Sequence, residues 1–168
     1  MNRKKRGHRI GAPVFRKIVF VITVLCITLL LIPIQVLIIE GKENNEAIYI
    51  GASDFTLQWE HSVEKEEWEE FFVLNDSGIL LTHTRFKTFG AGVPSDAGTN
   101  SFIKNGWVYM TGINRVIGNS LYFRTGNTTK HRITVDGQSD KLKANSSYHV
   151  TVKQLNLIKA LLYKIQVR

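Results

Sequence analysis

Three residues of this chain, His61, Glu70 and His83, have the types and the spacing to share one polar site. The expectation rests on two tight connections. If residues 64–67 and 75–78 are hairpin loops, cross-strand register follows from counting. Leu57, Leu74 and Ile79 then form one row, and Trp59, Phe72 and Leu81 the next. His61, Glu70 and His83 come third, followed by Val63, Trp68 and Arg85. Opposed side chains have Cβ atoms about 4.5–5.5 Å apart, so Glu70 could accept a hydrogen bond from either imidazole. Three chemistries fit this row: a small ligand site, a metal site, or a hydrogen-bonded row that fixes strand register. Two histidines and a carboxylate are a known ligand set. The imidazoles would nonetheless stand two strands apart, roughly 9.5 Å, which is wide for one ion.

Other catalytic arrangements fare less well. His61 and Ser62 are neighbours, so on a strand their side chains point to opposite faces and cannot form a base–nucleophile pair. No G-x-S-x-G elbow is present. Glu64, Glu66, Glu67, Glu69 and Glu70 read as a solvated acidic turn, and His131 and His149 lack ligand spacing. The one cysteine, Cys26, lies in an apolar stretch, so redox chemistry and thiolate metal sites are excluded from the remainder. The expectation is a protein without catalysis, metal or cofactor.

The elements that must hold these residues are strands. From residue 47 apolar residues recur with period two between Gly, Asn, Asp and Ser clusters, which predicts an antiparallel β domain, a sandwich or a partly open barrel. Strands are expected over residues 47–50, 55–63, 68–74 and 79–87, then 107–110, 121–124, 131–135 and 147–153. Asp136-Gly137 is a turn signal. Residues 155–163 fit a short helix, whereas Tyr163, Ile165 and Val167 alternate like a closing strand. The basic residues of this tail suit either a position near lipid heads or a plain closing element.

Ahead of that domain lies an uncharged apolar run over residues 18–39. As a helix it reaches roughly 33 Å, enough for a ~30 Å hydrocarbon core. Seven basic residues precede it, and all 14 acidic residues follow from Glu40 onward. The asymmetry predicts a cytoplasmic tail over residues 1–17, an uncleaved signal-anchor over 18–39, a linker over 40–46 and an exported domain over 47–168. The formal net charge of +8 is thus a topology signal and an attraction to membrane lipid, not the footprint of a nucleic-acid binder.

After the third strand the chain reads Phe86-Lys-Thr-Phe89-Gly90-Ala91-Gly92-Val93-Pro94. Its glycines allow either an anion-holding nest of N–H groups or a sharp corner stiffened by Pro94. Together with Trp59-Glu60-His61-Ser62-Val63 and the acidic–aromatic stretch ending at Glu69-Glu70, this string resembles the bacterial domain-of-unknown-function family eighteen-fifty. The specific likeness covers about residues 48–95. It implies a small exported or membrane-anchored protein, often encoded beside the TAXI branch of the TRAP transporters. The implied role is an accessory of organic-anion uptake, contacting the transporter's membrane or solute-binding subunits or a small organic anion. His61, Ser62, Glu70, Gly90, Gly92 and Pro94 carry over as residues that matter, without a stated role. His83, Arg85 and Phe89 join them as candidate binding residues. The alternatives are an envelope hydrolase or metal-dependent enzyme on the His61–Glu70–His83 row, and an assembly factor with no ligand site.

Overall fold

The structure, a computed structural model, describes residues 12–42, 46–88 and 98–166. It opens with α1 (Ala12–Leu31), an apolar helix followed after one residue by β1 (Pro33–Gly41). The apolar run of residues 18–39 is therefore two elements, not one long helix. Pro33 has no N–H to continue the helical ladder, and its ring biases Ile32 towards extended backbone, so the helix stops at Leu31. The strand that follows is as apolar as the helix because both its faces are covered. Leu37 and Ile39 enter one core cluster, Val36 and Ile38 another, and all four are at most 4% exposed. A strand buried on both sides and a membrane helix give the same uninterrupted apolar signal. The expected linker over 40–46 contains the end of β1 and the start of β2 (Glu46–Ile50); its middle lies outside the described residues.

The remaining elements are β3 (Asp54–Glu60), β4 (Glu67–Asn75), β5 (Gly78–Phe86), β6 (Asn100–Lys104), β7 (Trp107–Gly118), β8 (Ser120–Arg124), β9 (Arg132–Val135), β10 (Gln138–Lys141), β11 (Ser147–Asn156) and α2 (Leu157–Gln166). They form a β-sandwich after one N-terminal helix, as expected. One sheet has the order β2-β1-β11-β8, the other β10-β9-β3-β4-β5-β7-β6, and every pairing is antiparallel. The main core lies between them, with Leu37 and Val150 from the first sheet against Phe55, Phe72 and Ile133 from the second. On the far side of the small sheet, α2 covers Val36, Ile38 and Ile48 with Ala160 and Tyr163. The helix continues through Gln166, so the alternation of Tyr163 and Ile165 is not a closing strand.

Asp136 and Gly137 both take positive φ, 49° and 78°, as a two-residue hairpin turn requires. At the β4–β5 turn Gly78 has φ +94°, and a Cβ there would meet the Gly118 carbonyl oxygen at 2.5 Å.

Candidate functional site

The expected His61–Glu70–His83 row does not form. Two register changes break it. β3 ends at Glu60, and its partner in register is Glu67, so the connection is residues 61–66 rather than 64–67. The aromatic pairs decide this: Phe55 stacks on Phe72 at 4.6 Å and Trp59 on Trp68 at 5.6 Å between ring centroids. His61 closes the turn instead, donating its backbone N–H to the Glu66 carbonyl at 2.8 Å, with its ring over Trp68 at 6.1 Å. Ser62 sits exposed in the same turn.

The second change is a β-bulge. Phe72 faces Leu81 as the sequence count requires, but Phe71 faces His83, so Thr82 is an extra residue on β5. From there every β5 side chain is on the other face from the one expected. Glu70 points inward, opposite Leu57 and Thr84, while His83 points outward. Burial pushes the Glu70 carboxyl above its ordinary range, against the opposing pull of Arg115. Two residues away on the same face, the buried indole N–H of Trp68 has no acceptor among the described residues. His83 stacks on Phe71 at 4.1 Å, and its Nδ1 lies 2.9 Å from the Thr82 hydroxyl. The same hydroxyl lies 3.0 Å from the Phe71 carbonyl oxygen. Burial and then the charge of Arg85 lower the His83 pKa. Among the described residues no three metal-ligating side chains converge. Phe89, Gly90, Gly92 and Pro94 lie outside the described residues.

The bulge assembles a different row on the outer face. Glu69 faces Arg85, Arg85 faces Tyr109 and Tyr109 faces Phe102, across β4, β5, β7 and β6. Arg85 donates from Nε to Glu69 Oε2 at 2.6 Å and from a terminal nitrogen to the Tyr109 hydroxyl at 3.0 Å. Its guanidinium lies 4.3 Å from the Trp107 ring centroid, and the Lys87 ammonium lies 4.1 Å from the same ring. Phe102 stacks on Tyr109 at 5.1 Å. The hydrogen bond to Glu69 raises the Arg85 pKa and keeps it charged. Of these residues, the sequence marks only Arg85 as a candidate. The signal for Trp107 and Tyr109 was their alternation with Val108 and Met110, which are buried on the inner face. Glu69 was hidden because the uninterrupted count placed Arg85 opposite Trp68.

A second feature is a cleft of about 360 Å³ at the β3–β9–β10 end. Its rim carries Lys130, Arg132 and Lys141 as well as Glu60 and Glu67. Lys130 is paired with Glu60 at 2.6 Å, while Arg132 and Lys141 face each other across a hairpin. His131 lines the cleft, its ring between Trp59 and Phe123, and burial lowers its pKa.

Residues 55–142 match the family described as Domain of unknown function (DUF1850). The chain belongs to that family. The DUF1850 match takes in the whole outer row and the cleft, while β1, β2 and β11 fall outside it. Neither a curated protein nor a solved structure matches the chain.

Proposed function

We propose that this DUF1850 protein is a membrane-tethered docking module, without catalysis of its own, whose outer aromatic–arginine face binds a partner protein on the extracytoplasmic side. The observation that carries the reading is the state of Arg85. Its charge is already met by Glu69, so it offers little to a free anion. Its flat guanidinium is held against Trp107 and Tyr109 by that same pairing. Arginine, tryptophan and tyrosine held rigid on a sheet face are the residue types that dominate protein–protein binding energy.

The tether is α1, which is long and apolar enough to cross a membrane. It leaves through Leu29-Leu30-Leu31-Ile32-Pro33, with none of the small residues a signal peptidase reads. Cleavage further on would remove β1 from the core. The basic N-terminal residues favour a cytoplasmic start. The family resemblance supplies the partner class, the membrane or solute-binding subunit of a TRAP-type uptake system.

Extraction in mild detergent followed by co-purification tests this. Transporter subunits are expected with the wild-type protein and are lost with Trp107→Ala. Hot-spot truncations cost at least about 2 kcal/mol, roughly thirtyfold in affinity. No transporter subunit with the wild type, or equal retention by the variant, overturns the reading.

One observation favours a second reading. Arg132 and Lys141 are like charges directly opposed across strands, an unfavourable pair that an anion between them would relieve. A small carboxylate in the cleft is that reading. Thermal shift with small carboxylates, abolished by Lys141→Gln, supports it; no shift with any of them removes it.

A further inference from the structure

We infer that α2 lies in the membrane–water interface beside α1, its outward apolar face sunk into the lipid boundary. The inference rests on α1 being the tether. α2 is built the wrong way round for a plain closing helix. Its inner side is Ala160 and Tyr163, packed on β1. Its outer side carries Ile158, Leu161, Leu162 and Ile165, which are 41%, 46%, 57% and 70% exposed. At 3.6 residues per turn these four fall within an arc of roughly 100°. Lys159 and Gln166 border that arc on one side and Lys164 on the other.

Position on the molecule identifies the occupant as lipid. Only Ile32 separates the last residue of α1 from the first of β1, a span of at most about 7 Å. The small sheet therefore meets the membrane surface where α1 leaves it. α2 packs on the outer face of that same sheet and touches α1 itself. Its apolar arc is thus continuous with the surface that α1 presents to lipid. A helix with an apolar face and flanking lysines lies in the interface plane, apolar side down, with ammonium groups on anionic headgroups.

The test uses the full chain in vesicles of phosphatidylethanolamine and phosphatidylglycerol, with an environment-sensitive fluorophore on single cysteines. The native Cys26, exposed on α1, reports the anchor. Ile165→Cys and Leu162→Cys, each with Cys26→Ser, report the outer face of α2, and Lys159→Cys its polar border. Expected is a blue shift and loss of emission with nitroxide-bearing lipid at Cys26, Ile165 and Leu162. Lys159 should lose emission to aqueous iodide. Quenching of Cys26 by lipid but of Ile165 and Leu162 by iodide overturns the inference and leaves the tether standing. Protection of both α2 positions from both quenchers also overturns it, since a protein then covers the face. Cys26 beyond the reach of nitroxide lipid removes the tether and the inference together.

Discussion

Glu69 and Arg85 meet across β4 and β5 at 2.6 Å, the carboxylate side chain 10% exposed and the guanidinium 28%. The pair exists because one extra residue, Thr82, turned Arg85 to the side of the sheet where Glu69 already stood. Loss of either partner strands the other. Hydrogen bonds to charged groups are worth about 1.5–3 kcal/mol, so Arg85→Ala is expected to cost about 2 kcal/mol by urea unfolding. The double variant with Glu69→Ala should cost less than the two single changes added together. Strict additivity would show that the two side chains do not support each other.

Deleting Thr82 makes a sharper test of the bulge. Without the extra residue, Leu81 opposite Phe72 is followed directly by His83 opposite Phe71, so Arg85 still meets Glu69 on the outer face. A folded variant that keeps the Arg85–Glu69 pair by NMR is expected. Arg85 turned inward, with loss of cooperative unfolding, would contradict the register described above.

The buried carboxyl of Glu70 gives a pH signature. Its folded pKa is raised above the 4.5 of the free side chain, so between those two values the folded state holds more protons than the unfolded one. Stability therefore falls as pH rises through that window. Glu70→Gln removes the fall. Its melting temperature relative to wild type should climb from pH 4 to pH 7, and a difference independent of pH would count against burial of the charge.

β1 predicts where the domain begins. A chain starting at Ile32 keeps the strand and should fold; one starting at Glu40 lacks it and should not give a cooperative transition. Within the intact protein, Leu37→Ala is expected to cost about 2–5 kcal/mol, as for other large-to-small core changes. Calorimetry of the three proteins checks this.

Gly78→Ala is expected to destabilise by about 1–3 kcal/mol, because it adds a side chain at positive φ and drives Cβ into Gly118. Gly137→Ala, also at positive φ (+78°) but with open space around it, helps separate the backbone cost from the collision.

Period-two alternation exposed the strands around Trp59, Phe72 and Leu81, and the sandwich with them. It held as far as the β4–β5 turn, where Leu74–Ile79 and Phe72–Leu81 pair as counting requires. Beyond Leu81 counting failed, because a bulge residue such as Thr82 has no composition of its own. The first hairpin failed for another reason: stacking of Trp59 on Trp68 outweighed the shorter loop. The helix boundary was hidden because Val36 and Ile38 are as apolar facing α2 as lipid-facing residues are. The short strands β6 and β10 are wholly exposed and carry no alternation to read.

The pairing of Pro33 with Asn156 sets a timetable for assembly. β1 is made soon after the helix, yet one of its two edges waits for β11, which begins at Ser147, long after β1 ends at Gly41. β2 can zip onto the other edge early, leaving a greasy ribbon with an open hydrogen-bonding border until β11 emerges. Such a nascent chain depends on chaperoning until β11 emerges, and truncation of β11 should turn an obedient fold into an aggregate.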